Sequence, residues 1–235
     1  DINLTYSQIS REYLIREGIR PDKVIKIGSP MSEVISFYKN QIKNSNILEQ
    51  LSIKSNQFIL LSCHREENIE PEDKFYKFIT LLNNLYSNFN CKIIVTAHPR
   101  TKKRIIKSQK NLDKNVILHE PFSFTDYCKL QKHAMIVVSD SGTIAEESSI
   151  LEFNAINIRD SHERPEAIEE SPNILSSMDY KDVIYKIKVL TESKNRDKSF
   201  INSVKEYKDQ NISEKVLRII LGYTSFIERE TWKKY

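Results

Sequence analysis

Glycine is scarce in this chain. Only four of 235 residues are glycine, Gly18, Gly28, Gly142 and Gly222, against an ordinary usage of roughly 7%. Each is therefore expected where a side chain would obstruct something. Cysteine is scarce as well. Cys63, Cys91 and Cys128 stand at spacings that fit neither a disulfide framework nor a paired-cysteine zinc site, so no metal is expected. Free thiols point to a reducing, cytoplasmic setting. No window approaches 18 consecutive apolar residues, which excludes a membrane-spanning helix. The first residues lack the basic and apolar stretches of a signal peptide and begin without Met, so the chain reads as part of a longer protein. The formal charge of +4 is spread among 36 basic and 32 acidic residues, too little and too interspersed to imply nucleic acid. Gly-x4-Gly-Lys and Gly-x-Ser-x-Gly are both missing, which argues against a P-loop and against a hydrolase nucleophile elbow. No internal repeat or low-complexity tract is present.

What remains is 39% hydrophobic, enough for a real core. Short apolar runs alternate with helical spacing. Strands are predicted at 57–62, 91–97, 115–119, 135–139, 155–158 and 174–176. Helices are predicted at 71–89, 101–110, 123–133, 143–153 and 163–170, then through most of the chain after Asp179, with breaks near 194–197 and 209–211. Repeated strand–helix units build an α/β fold, a doubly wound parallel sheet of Rossmann type. Ligands in such sheets sit beyond the carboxyl ends of the strands. The polar clusters follow the strands: Cys63-His64-Arg65-Glu66-Glu67-Asn68, Ala97-His98-Pro99-Arg100, Glu120-Pro121-Phe122, Asp140-Ser141-Gly142-Thr143, and the segment from Arg159 to Glu166.

Each cluster has a chemical reading and a plain one. Ser141, Gly142 and Thr143 open a helix, where free N–H groups and the dipole suit a phosphate; an ordinary capped turn looks the same. Glu147 lies one turn on and could accept both hydroxyls of a ribose, whereas Glu146 reads as the solvated member of the pair. His64 could meet a charged ligand or move a proton, or be a hydrogen-bonded structural histidine. Arg164 suits a phosphate or sugar oxygen, or a local ion pair with its acidic neighbours. Phe122 and Tyr127 could pack on a base, or simply join the core. His98 reads as a loop residue. The coincidence of all these groups on one edge of one sheet is the stronger signal.

Three of these segments together resemble a known family, the non-hydrolysing UDP-N-acetylglucosamine 2-epimerases. Cys63-His64-Arg65-Glu66-Glu67-Asn68 is similar to the family's His-Arg-Arg-Glu-Asn segment. Asp140-Ser141-Gly142-Thr143-Ile144-Ala145-Glu146-Glu147 is similar to its Asp-Ser-Gly-Gly-x-Gln-Glu-Glu. Arg159-Asp160 with Glu163-Arg164-Pro165-Glu166-Ala167 is similar to its Arg-Asp and Glu-Arg-Pro-Glu-Ala. The resemblance runs from about Tyr6 to the C-terminus. It implies a two-domain, glycosyltransferase-B-like fold whose C-terminal half holds UDP. It further implies UDP binding by Ser141, Gly142, Thr143, Glu147 and Arg164, Phe122 and Tyr127 on the uracil side, and a catalytic His64. The family inverts C2 of an amino sugar by eliminating UDP and adding it back, without a cofactor. Surface polysaccharide synthesis and a homodimer are further implications.

Glu66, Thr143, Ala145 and Phe122 depart from the family pattern. With Ile25 to Met31 and the C-terminal tail, they resemble a sub-branch that makes UDP-N-acetyl-L-fucosamine from a UDP-2-acetamido-2,6-dideoxy-L-talose. The resemblance implies that residues 1–27 end a missing N-terminal domain and crossover, that 28–222 form the UDP-binding domain, and that a helix over 223–235 packs back toward the missing part. The chain alone is then expected to be inactive. A UDP-sugar glycosyltransferase donor domain and a non-catalytic nucleotide-sugar-binding domain remain open alternatives.

Overall fold

The structure is a computed structural model that describes residues 2–108, 111–159, 164–192 and 203–234. Its centre is a six-stranded parallel sheet of β3 (Phe58–Ser62), β4 (Lys92–Thr96), β5 (Val116–His119), β6 (Ile136–Ser139), β7 (Ala155–Ile158) and β8 (Asn173–Ser176), in the order β5-β4-β3-β6-β7-β8. Counted from its first strand, that is 3-2-1-4-5-6, the doubly wound order whose direction reverses between β3 and β6.

The strands read as continuous apolar runs because both faces are covered. The period of two divides β3 between two cores. Ile59 and Leu61 face α6 (Glu72–Phe89) and α11 (Tyr180–Glu192), meeting Phe78, Leu82, Val183 and Ile187. Phe58 and Leu60 face α8 (Phe124–His133) and α9 (Ile144–Leu151), meeting Leu130 and Ile144. All four strand side chains are wholly buried, each worth about 1.5–3 kcal/mol of apolar burial. Helix α6 ends where Asn90 turns left-handed at φ 46°, and α8 starts at Ser123, whose hydroxyl accepts from the Asp126 amide.

The predicted strands and helices fall within a few residues of these elements. The predicted break at 209–211 precedes α12 (Ile212–Glu230), whereas that at 194–197 lies outside the described residues. Several elements escape the periodicity. β1 (Asn3–Thr5) and β2 (Val24–Lys26) form a separate parallel pair flanking α1 (Gln8–Arg16). The short helices α2 (Met31–Phe37), α3 (Lys39–Asn44) and α4 (Ile47–Gln50) lead into β3. Helix α12 runs unbroken through Gly222. Gly28 turns the chain after β2 at φ +91°, a position where an added Cβ would lie 2.9 Å from Asp209 Cβ and Ile212 Cδ1.

Candidate functional site

At the switch point, β3 and β6 run parallel with Ser62 opposite Ser139. The next residue after β6, Asp140, is fully buried. Its carboxylate accepts from the amides of His64 (3.0 Å) and Arg65 (2.9 Å) and from Asn68 Nδ2 (3.2 Å). An anionic acceptor fixed by three donors shapes the loop after β3 and sets it against the turn after β6. Sequence reasoning grouped Asp140 with the phosphate turn; its part here is to hold His64 in place. His64 itself is exposed, with Ser62 Oγ 3.2 Å from Nε2 and 3.3 Å from Nδ1.

Beyond Asp140 the turn is shaped by its own hydroxyls. The Ser141 amide donates to Ser139 Oγ (3.1 Å), the Thr143 amide to Ser141 Oγ (3.3 Å), and the Ser141 and Thr143 hydroxyls lie 2.9 Å apart. Ser141, Gly142 and Thr143 are half-buried, and α9 begins at the next residue. Positive-φ glycines among the described residues are Gly18 and Gly28, so Gly142 is not placed there to make a left-handed turn. Beside it lies the helix start, where backbone N–H groups can meet an anion.

Glu147 lies behind this turn. Its two carboxylate oxygens take one donor each, Thr143 Oγ1 at 2.7 Å and Gln131 Nε2 from α8. Burial pushes its carboxyl above the ordinary range, and both donors pull it back by favouring the charged form. Tyr127, on the same face of α8, is itself pushed up by burial and by the Glu147 charge; its bond to Ser62 acts the other way. Tyr127 thus stands between the Glu147 and His64 sides of the site.

Glu146 is buried, contrary to the expectation of a solvated acid: its residue is 2% exposed. Every residue of α9 from Ile144 to Ser149 is buried, so its acids cannot be sorted by amphipathicity. Glu146 accepts from Ser29 and pairs with Arg164 at 2.6 Å. Burial raises its carboxyl and the Arg164 charge opposes that. Arg164 also donates from Nε to the Gly142 carbonyl (3.3 Å) and lies 5.0 Å over the Tyr6 ring. Arg164 is thus ion-paired, to Glu146 on α9 where its acidic neighbours in sequence were expected, and it borders the turn. Asp160 to Glu163 lie outside the described residues.

Phe122 is half-buried beyond β5, stacked on His119 with centroids 4.0 Å apart. β5 is three strands from β6, about 14 Å along the sheet edge at ordinary strand spacing. It thus stands on the same rim as the turn but not against it. His98 caps α7 (Pro99–Lys107), its Nδ1 accepting from the Arg100 amide at 3.3 Å. Beside His64 opens a cleft of about 470 Å³ whose cations are Arg100, Lys103, Arg104 and Lys107. Among the described residues no cluster of His, Cys, Asp and Glu is arranged to hold a metal. Cys63 is buried and its thiol is pushed up by that burial, so it is no nucleophile.

Sequence reasoning missed Gln131, Ser62, Ser29 and Tyr6. Gln131 had a signal: it follows Tyr127 by four residues, on the inward stripe of α8 where an apolar residue is expected. Ser29 and Tyr6 had none, because their partners are more than 100 residues away.

Comparison with known proteins agrees with this geometry. A family model described as UDP-N-acetylglucosamine 2-epimerase matches residues 1–221. The UDP-N-acetylglucosamine 2-epimerase of Methanocaldococcus jannaschii is 26% identical over 221 residues, covering 91% of this chain and 59% of that protein. A solved structure of UDP-N-acetylglucosamine 2-epimerase from Rickettsia bellii is 36% identical with a TM-score of 0.89, covering 100% of this chain and 62% of that one. The M. jannaschii enzyme in complex with UDP-GlcNAc and UDP shares the fold at a TM-score of 0.81 and 24% identity, over 94% of this chain and 61% of that one. This chain spans about 60% of the length of these relatives. With the family model matching nearly the whole sequence, the chain belongs to the UDP-N-acetylglucosamine 2-epimerase family.

Proposed function

We propose that this chain is the UDP-binding part of a cytoplasmic UDP-sugar 2-epimerase that needs a second lobe for turnover. The observation carrying this reading is the helix start at Ser141–Thr143, with Glu147 one turn behind it, at the point where strand order reverses. On this reading the diphosphate rests on the Ser141, Gly142 and Thr143 amides, flanked by His64 and Arg164. Glu147 accepts from the ribose, and the uracil lies toward Phe122 and Tyr127. A helix N-terminus, the Arg164 guanidinium and a hydrogen bond from the His64 imidazole stabilise UDP as a leaving group. Elimination across C1 and C2 would give a 2-acetamidoglycal, and re-addition of UDP with the proton on the other face would invert C2.

The second lobe is argued from chemistry. Proton transfer at both faces of C2 requires acid–base groups opposite the leaving group. Among the described residues, the buried carboxylates of this site are committed: Asp140 to the loop, Glu146 to Arg164 and Ser29, Glu147 to Thr143 and Gln131. Helix α12 supports the same view, since Ile220 and Leu221 are 55% and 73% exposed on a face suited to a partner lobe. A UDP-N-acetylglucosamine substrate and a UDP-2-acetamido-2,6-dideoxy-L-talose substrate both fit this chemistry. The Glu66, Thr143 and Ala145 departures favour the second, the L-fucosamine branch, with a role in surface polysaccharide synthesis and a homodimeric whole enzyme.

The test is incubation in deuterium oxide with each substrate. The chain should bind UDP in a titration yet place no deuterium at C2. Deuterium at C2 would show that the acid–base groups lie within this chain, and loss of UDP binding altogether would remove the reading.

A further inference from the structure

We propose that Gln131 is a positioning residue for nucleotide recognition: its buried amide holds the Glu147 carboxylate ready to read the ribose hydroxyls. The inference rests on Glu147 being the ribose residue. The buried residues of α8 are Cys128, Leu130 and Gln131, and Gln131 is wholly buried. An apolar side chain would fill such a position at lower cost, because the Gln131 Oε1 finds no partner among the described residues. The other end of the amide, Nε2, donates to Glu147. A buried amide with one end unsatisfied is explained by what its satisfied end does.

The donors divide the carboxylate evenly. Thr143 takes Oε1 and Gln131 takes Oε2, leaving each oxygen a lone pair for one hydroxyl of a vicinal pair. Fixing both oxygens also prevents rotation of the carboxylate, so less order must be imposed when nucleotide binds. The surroundings otherwise disfavour the charge. Tyr127 and Cys128 on α8 are neutral groups, and Asp140 and Glu146 are acidic. Burial raises the Glu147 carboxyl, and the bonds from Thr143 and Gln131 are what lower it. Without Gln131, Glu147 would take up a proton at higher pH and lose acceptor capacity.

The experiment compares UDP with 2′-deoxy-UDP in titrations of this chain between pH 6 and pH 8.5. Wild type should prefer UDP by about tenfold or more, the size of a hydrogen bond to a charged group. In Gln131→Met, a change of similar volume, the preference should shrink to about threefold or less at pH 6–7 and recover toward pH 8.5. Thr143→Val, which removes the other donor, should move the profile in the same direction and serves if Gln131→Met does not fold. A Gln131→Met chain that keeps the wild-type ratio and pH profile, while Glu147→Gln loses discrimination at every pH, would overturn the inference and leave the ribose reading intact. Unchanged discrimination in Glu147→Gln would overturn both.

Discussion

At the residue scale, the site depends on carboxylates that are buried and fully committed. Asp140 is the sharpest case, because three donors converge on it. Asp140→Asn turns an acceptor into a donor facing them, leaving buried groups unsatisfied at about 1–3 kcal/mol. A lower melting temperature and weaker UDP binding are both expected, since the same loop carries His64; intact binding in the variant would detach that loop from the nucleotide. Glu147 gives a prediction of opposite character. Its folded pKa is raised, so its contribution to stability is complete below its unfolded value near 4.5 and is lost as pH rises through the folded value. Glu147→Gln should therefore gain stability relative to wild type at pH 8 compared with pH 4, while losing UDP affinity. His133, whose pKa is lowered by burial and by Lys129 and Lys132, acts in the opposite sense over this window. The quantity to read is thus the wild-type minus variant difference in melting temperature at the two pH values. A difference that does not change with pH would show that Glu147 does not titrate between them. The placement of Glu147 and His64 on one rim was legible because each follows a strand end with a recognisable pattern. The burial of Glu146 was not, because Ile144 to Ser149 of α9 are all buried and its partners Ser29 and Arg164 come from distant segments.

At the element scale, the sheet was legible because its strands are uninterrupted apolar runs separated by capped helices. Apart from α1, the first 50 residues were not. β1 and β2 are three residues each, and α2 to α4 are too short to develop a helical period. These elements are held by distant contacts that no local pattern announces. Glu166 is buried on α10 (Pro165–Glu170) and accepts from Ser7 (3.0 Å) and Ser10 (3.2 Å) beside α1 and from Tyr207 (2.6 Å) in the 3₁₀-helix Lys205–Lys208. Two neighbours thus serve different ends: Arg164 borders the Ser141–Thr143 turn, and Glu166 fastens α1 to the domain. Gly28 sets the next junction. Gly28→Ala would combine a positive φ with contacts at 2.9 Å to Asp209 and Ile212, at a cost of about 1–3 kcal/mol. Its melting temperature should fall by several degrees, and UDP affinity should fall with it, because the next residue, Ser29, donates to Glu146, the partner of Arg164. An unaltered melting point would mean that the junction yields freely.

At the scale of the whole molecule, a six-stranded doubly wound domain carries one long helix with a half-covered apolar face. Leu217, Ile220, Leu221, Phe226 and Trp232 on or just after α12 are all exposed, and a groove between this helix and β1 is lined by Ile2, Leu4, Ile220 and Tyr223. Such a surface promotes association. Leu221→Lys with Ile220→Glu should move the chain toward a monomer in sedimentation or light scattering; an unchanged distribution would show that this face is not adhesive. None of that bears on the centre of the account, which is that nucleotide binds where the strand order turns between β3 and β6. The most direct measurement is amide chemical-shift mapping of the isotopically labelled chain during titration with UDP. The account expects the largest shifts at Ser141, Gly142, Thr143 and His64, with smaller ones at Tyr127 and Gln131, and their loss in Glu147→Gln at the same UDP concentration. Shifts confined to the basic residues of α7, with Ser141 to Thr143 unmoved, would contradict it.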